Sequence, residues 1–403
     1  MTELAASRSA GPLAGLRVVE ISVYAQGPVA GMILASLGAD VVKIEAVGHG
    51  DPFRSYLGMY GVQLDDDGRR WIFASVNRGK RCIALDVGSE AGRPVFHRLL
   101  ADADVFVTNL RPDSLDRLGA DEATVRALNP RIVYARGAGF AMRGELASLP
   151  CQDTVGMAYS GFMDLVSTTE EPNYPPGAIS DVATGSNLAS AILAGLVQRS
   201  ITGQGCAVGT SQVQTMVWLQ LFGAGFVNNL GQAPARFDVA NPSSPLLSMY
   251  ATADGWISIG AVNDPQWRVI ATTMDLAHLL DDPRFATLPD LIDNTVEGTP
   301  ILAAAFRSQP TAHWWDLFRS AGIWVAPVNR LGDLASDTSI LENEYLVTFP
   351  DGSVGTPAPF EVDGWRGART VASDYGADTD DVLAELGYDV DDVVALRVAG
   401  AVF

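Results

Sequence analysis

The chain has 403 residues, with 27 Lys and Arg against 47 Asp and Glu, a net charge of −20, and a hydrophobic fraction of 48% with 18% charged. At roughly 100–200 residues per unit this suggests two or three folding units, and the composition is too apolar for a disordered chain. The acidic balance argues against a nucleic-acid surface, which needs clustered Lys and Arg, but leaves room for an anionic small molecule held by a few local arginines.

Cys82, Cys151 and Cys206 are odd in number and widely spaced, so they form no disulfide framework and fit a reducing compartment. The stretch Met1 to Arg8 lacks the pattern of a secretory signal. No apolar run reaches the ~18–20 residues of a membrane helix. The expectation is a soluble, cytoplasmic protein.

In chain order, Leu16 to Ile21 reads as a buried strand, Gly27-Pro28 opens a helix that stops at Gly38, and Ala39 to Ile44 is a second strand. This is a βαβ unit with the right-handed crossover such units adopt. Further strands are expected at Arg81 to Leu85, Asp104 to Val107 and Arg131 to Tyr134, with a helix between Ser89 and Leu100, predicting a doubly wound, mostly parallel α/β sheet. A long helix, about Ala183 to Gln198, is apolar on more than one face, and its Gly185 and Gly195 allow close backbone approach; Thr202-Gly203-Gln204-Gly205 ends it. A strand and helix follow around Ala207 to Leu221. Phe226 to Pro245 reads as a linker into a second unit. There Leu246 to Ile259 forms a hairpin at Asp254-Gly255, Asp264 caps a helix with Pro265 at its first position, and Ile323 to Val328 is a strand returning to the main body. The acidic tail holds short helices at Asp378 to Leu386 and Asp391 to Arg397.

Several chemistries are absent from the motifs. No GxGxxG follows the first strand, where the turn is Ser22-Val23-Tyr24-Ala25-Gln26-Gly27, and neither a P-loop nor a GxSxG elbow occurs. His49, His97, His278 and His313 have no partner at metal-ligand spacing, so no metal is expected. Carboxylate chemistry remains. Asp181 follows Pro175-Pro176-Gly177 and precedes the long helix. Its plain reading is an N-cap; its sharper reading is a carboxylate kept ionised by the helix start and able to act as a nucleophile.

Many short stretches in a fixed order carry a resemblance. They include Pro12-Leu13-Ala14-Gly15-Leu16-Arg17-Val18, Leu37-Gly38-Ala39-Asp40-Val41-Val42-Lys43-Ile44-Glu45, Asn77-Arg78-Gly79-Lys80-Arg81, Asn109-Leu110-Arg111-Pro112 and Leu115-Asp116-Arg117-Leu118-Gly119. Asn129-Pro130-Arg131-Ile132-Val133-Tyr134, Thr252-Ala253-Asp254-Gly255, Asn263-Asp264-Pro265-Gln266-Trp267 and the run from Thr379 to Tyr388 continue it. Over nearly its whole length the chain resembles the class III CoA-transferases, the formyl-CoA transferase and CaiB/BaiF family. The resemblance implies an interlocked homodimer, each subunit with a Rossmann-like large domain (residues 1–225 and 331–403) and a smaller inserted domain (226–330). It implies an acyl-CoA:carboxylate CoA-transferase, with coenzyme A entering as a substrate thioester, and it places Asp181 as the catalytic aspartate. The carboxylate would form a mixed anhydride with the donor acyl group, then an aspartyl-CoA thioester that the acceptor acid attacks.

The same resemblance points to Leu85, Asn109, Leu110, Arg111 and Arg117 for CoA, the two arginines being suited to phosphate or else ordinary surface residues. Asp153 would orient the site or cap a turn, and Lys80 and Arg81 would fix the sheet edge. Departures are equally informative. The related 2-methylacyl-CoA racemases use a histidine before Asp153; here that residue is Gln152, and no histidine lies between His97 and His278. Ala240-Asn241-Pro242-Ser243-Ser244-Pro245 lacks the glycine run of formyl-CoA transferases, Ala25 replaces their glutamine, and Ala46 replaces an arginine that helps hold CoA. Oxalate and formate are therefore disfavoured against a larger organic acid. The alternatives are a racemase-like isomerase and a catalytically silent CoA-ester-binding protein.

Overall fold

Six short strands alternate with helices and build one parallel sheet. The computed structural model describes residues 11–403; the first ten, including the stretch read as carrying no secretory signal, lie outside the described residues. Two units are present: the chain up to Met163 with Tyr174–Ala224 and Thr338–Phe403, and Asp164–Asn173 with Gly225–Asp337. Among the described residues no helix is long and apolar enough to cross a membrane.

The first unit runs β1 (Arg17–Ile21), α1 (Gln26–Ser36), β2 (Asp40–Glu45), α2 (Asp66–Asn77), β3 (Arg81–Ala84), α3 (Gly92–Ala101), β4 (Val105–Thr108), α4 (Pro112–Leu118), β5 (Val133–Ala138), α5 (Asp153–Tyr159), α6 (Ile179–Thr202), β6 (Ala207–Ser211) and α7 (Gln212–Leu219). The strand order is β3-β2-β1-β4-β5-β6, all parallel. Val18 pairs with Val41 and Val105 and faces a core completed by Ile33, Leu34, Leu188 and Ile192. Val19 pairs with Val42 and Phe106 and faces the opposite core, with Phe96, Leu100, Leu383 and Leu396. Burial on both faces explains strands that read as apolar runs instead of alternating. The order reverses between β1 and β4, so the crevice at their carboxyl ends is where an open sheet of this kind receives a ligand.

The edge strand β3 is closed by the C-terminal segment. Cys82 N–H donates to Asp378 Oδ2 (2.7 Å) and Ala84 N–H to Thr379 Oγ1 (3.2 Å), satisfying groups that an open edge would expose. Arg81 secures the same edge through Asp40 and Glu385.

Lys80 departs from the edge role expected of it. With Glu20 and Lys43, cross-strand partners on β1 and β2, it forms a fully buried ionic cluster beneath α1. Its Nζ donates to Glu20 Oε1 (3.0 Å), Asn77 Oδ1 (2.8 Å) and the Pro28 carbonyl (2.8 Å). Lys43 Nζ donates to the Ser22 carbonyl (2.7 Å) and pairs with Asp51 Oδ2 at 3.0 Å. Burial, together with the neighbouring Lys43, pulls Lys80 down to about 8. Burial also opposes the charge on Lys43, but Asp51 and then Glu20 outweigh it and raise its proton affinity.

α8 (Leu221–Leu230) occupies the first five residues of the stretch read as a linker. The second unit has a three-stranded antiparallel sheet. β7 (Leu247–Ala251) and β8 (Trp256–Gly260) form the expected hairpin, and β9 (Trp324–Pro327) pairs with β8. The Ile323–Val328 run therefore belongs to this sheet and does not return to the main body. In α9 (Asp264–Thr273) the cap is Asn263, whose Oδ1 accepts from Gln266 N–H; Asp264 accepts from Leu288 N–H (2.7 Å) instead.

Gly31 on α1 lies over the ionic cluster, and a Cβ there would come within 1.8 Å of Glu20 Oε2. Glycine-to-alanine inside a helix ordinarily stabilises by about 1 kcal/mol. Gly31→Ala should instead destabilise by about 1–3 kcal/mol, the cost of overpacking. Denaturant unfolding checks the sign: a stabilised variant would show that the close approach is not structural.

Candidate active site

The long helix α6 begins at Ile179, so Asp181 lies in its first turn and is not its N-cap; the cap position is Ala178, whose methyl group cannot accept a hydrogen bond. A helix start leaves backbone N–H groups without intrahelical partners. Here they are satisfied from another element. Asp153, buried at the first position of α5, accepts the Asp181 N–H on Oδ1 at 3.0 Å and also accepts from the Ser180 N–H. Asp153 thus caps the start of α6, and what it caps is the backbone of Ser180 and Asp181.

The Asp181 carboxylate is half-buried. Gln212, at the start of α7 and 3% exposed, donates from Nε2 to Asp181 Oδ1 at 2.5 Å. Among the described residues no donor reaches Oδ2. Burial, and after it the nearby Asp153 charge, push the Asp181 carboxyl up to about 7, with the Gln212 hydrogen bond opposing them. The helix start therefore does not keep this carboxyl firmly ionised, because Asp153 takes the free N–H groups and adds a like charge. Asp153 is itself pushed up by burial, against the two backbone N–H bonds it receives. Near neutral pH Asp181 is poised between its acid and its nucleophilic form.

Asp181 lines a cleft of about 960 Å³. Asn109, Leu110 and Arg111 line the same cleft, as do Asp153, Cys151, Gln26 and Gln212. Asn109 bridges the crevice between the ends of β1 and β4: its Oδ1 accepts from Val23 N–H (3.0 Å) and its Nδ2 donates to the Val23 carbonyl (2.8 Å). Leu85 and Leu110 line an adjoining pocket of about 380 Å³ with Ala46 and His49, so the position where the resemblance expects an arginine does face a cavity but brings no charge to it. Arg117 lines neither cavity; it is exposed, and its Nη2 donates to Ser114 Oγ at 3.1 Å. Gln152 caps α5 by accepting from Thr154 N–H.

Gln212 and Cys151 are site residues that the sequence reading did not assign. Gln212 directly follows β6, at a strand-to-helix junction of the kind that places functional groups in open sheets, which is the one signal that could have pointed to it. Among the described residues no group of three or more His, Cys, Asp or Glu is arranged to hold a metal ion.

Comparison with known proteins identifies the family. Residues 13–379 match the model of CoA-transferase family III. The chain is 33% identical to a mouse (Mus musculus) succinyl-CoA:glutarate CoA-transferase, covering 85% of this chain and 78% of that protein. It is 32% identical to an acetyl-CoA:oxalate CoA-transferase of Acetobacter aceti, covering 91% and 92% respectively. A crystal structure of a CaiB/BaiF family protein from Brucella suis superposes with a TM-score of 0.82 at 28% identity, covering 93% of this chain and 99% of that one. The chain is a transferase and belongs to CoA-transferase family III.

Proposed function

We propose that this transferase moves CoA from a donor thioester to an organic acid through covalent intermediates on Asp181. The observation that carries this reading is the asymmetry of that carboxyl group on the wall of the cleft: Oδ1 is held by Gln212, while among the described residues no donor reaches Oδ2. Oδ2 attacks the donor carbonyl and expels CoA thiolate, leaving a mixed anhydride. The thiolate returns to the Asp181 carbonyl and releases the donor acid, giving an aspartyl-CoA thioester. The acceptor carboxylate attacks that thioester, and the thiolate then takes the acceptor acyl group, regenerating Asp181. Each step exchanges one activated acyl bond for another, which is what covalent catalysis offers a thermoneutral transfer.

In this reading Asn109, Leu110 and Arg111 contact the CoA in the cleft and Leu85 borders its course over the strand ends. Arg117 is an outer phosphate contact. Asp153 positions the start of α6. The relatives are named for glutarate and for oxalate, so their names do not select the acceptor; Ala25, in place of a glutamine, favours an acid larger than oxalate. The interlocked homodimer is supported by α7 and α8, where Trp218 is 64% and Phe222 84% exposed and no residue of α8 is buried. An apolar face of this size calls for a second copy. The racemase reading gains nothing from Gln152, which is engaged as a helix cap.

Asp181→Ala should lower CoA transfer at least about a thousandfold with acyl-CoA affinity little changed. Hydroxylamine added to wild type with an acyl-CoA should convert Asp181 to a hydroxamate. An unmodified residue in active enzyme, or exchange by the alanine variant, would exclude the covalent route, and binding without exchange across a panel of acids would identify a silent binder.

The rate should follow the ionised form, rising with pH to a plateau above about 7. Asp153→Asn keeps an acceptor for the Asp181 N–H but removes the charge, so the acidic limb should move to lower pH; an unmoved limb contradicts the electrostatic role.

The raised Asp181 pKa has a stability cost of definite sign. Between its ordinary value and about 7 the folded state binds more protons than the unfolded, so stability falls as pH rises through that window. Asp181→Asn should therefore raise the melting temperature at pH 8 by more than at pH 5. Equal shifts at the two pH values would contradict this.

A further inference from the structure

Gln212 lies in contact with an atom that changes charge during the proposed reaction. Its amide orientation is determined by its neighbours. The ionised Asp181 carboxylate, the form that attacks, only accepts hydrogen bonds, so in that form the NH₂ end of the amide faces it. Oε1 then faces Cys151, whose Sγ lies 3.0 Å away and 3.6 Å from the Gln152 carbonyl. Burial raises the Cys151 thiol to about 11, with the charges of Asp181 and Asp153 adding to the effect, so the sulfur remains an S–H donor across the working range. A thiol donor on one side and a carboxylate acceptor on the other leave the amide one satisfied orientation.

The backbone holds both side chains in place. A Cβ at Gly139 would come within 2.2 Å of Cys151 Cβ, and one at Gly156 within 2.8 Å of Gln212 Cβ. Two glycines thus let neighbouring segments close on this pair of residues at the wall of the cleft.

We propose that Gln212 is a catalytic residue of the transfer, the donor that stabilises the oxyanion formed on Asp181 Oδ1, and that Cys151 is the positioning residue that orients it. The inference rests on the covalent reading above and deepens it. When thiolate returns to the anhydride, a sulfur lone pair forms the S–Cγ bond and the Cγ=Oδ1 π pair moves onto Oδ1. That pair re-forms the double bond as Cγ–Oδ2 breaks, and Oδ2 leaves within the donor acid's carboxylate. Attack of the acceptor on the aspartyl-CoA thioester places the charge on the same Oδ1, with thiolate as the leaving group. No proton is gained or lost in either step. Gln212 Nε2 already stands at 2.5 Å from this oxygen in the resting site, which is the preorganisation that makes such donors effective. The first step, attack of Oδ2 on the donor, places its oxyanion on the substrate and is outside the reach of this bond.

The steps therefore separate. Gln212→Ala should lower kcat by about 10²–10³-fold, the loss associated with one oxyanion donor, with KM for the donor falling alongside as the acyl-enzyme accumulates. Gln212→Glu, which preserves the shape and guards against a folding failure, should lose kcat comparably. Intact-mass spectrometry with donor alone should show wild type carrying bound CoA, and Gln212→Ala carrying the acyl group with CoA thiol released. Cys151→Ala should lower kcat about tenfold, since the amide loses one of its two orienting contacts, and Cys151→Ser, which keeps a donor, should restore most of it. If wild type forms the Asp181 hydroxamate but Gln212→Ala and Gln212→Glu retain kcat within about threefold, the role of Gln212 is overturned while the covalent reading stands. If active wild type forms no hydroxamate, the covalent reading fails, and this role with it.

Discussion

Two carboxylates share one helix start, and the site depends on how they divide it. The first turn of α6 offers a limited set of free N–H groups. Asp153 reaches across from α5 and takes those of Ser180 and Asp181, so the side chain of Asp181 receives no benefit from the turn on which it sits. It is left with one donor, Gln212, a like-charged neighbour, and partial burial. These conditions raise the proton affinity of a carboxylate and leave its lone pairs poorly solvated, and both make the ionised form a better nucleophile than a hydrated aspartate.

The rest of the first unit supports this arrangement from beneath. The ionic cluster of Glu20, Lys43 and Lys80 continues to Asp51, whose Oδ1 accepts from Phe53 N–H and, at 3.3 Å, from Tyr24 N–H. Tyr24 lines the cleft and sits at φ 60, a left-handed conformation that a non-glycine residue keeps only when its surroundings hold it. Asn109 ties the next residue back, Val23, to the end of β4. Charge pairs buried under α1 and one asparagine thus set the shape of the crevice where the strand order reverses. Breaking a buried pair by removing one partner is costly, so these residues act as a framework although none is expected to touch the reacting atoms.

The parallel sheet was legible because its signals are local: Val18-Val19 and Val41-Val42 flanked by Pro28 and Gly38 can be read in a short window. Elements that depend on distant partners were not. Asp264 looks like a cap until Leu288, 24 positions later, is seen to claim its carboxylate. The run at 323–328 has the pattern of any strand, and only its pairing with β8 assigns its sheet. At the site, the resemblance singled out Asp181 and Asp153, yet Asp181 was expected to be held ionised by its helix. Its proton affinity depends instead first on burial, then on the charge of Asp153, 28 positions away, and on the opposing hydrogen bond of Gln212, 31 positions away. No periodicity encodes such spacing.

The most direct test of this account is the titration of the Asp181 carboxyl itself, followed by carbon NMR of specifically labelled protein with Asp181→Asn as the assignment control. The account predicts a midpoint near 7. A midpoint at the ordinary aspartate value, about 4, would contradict it.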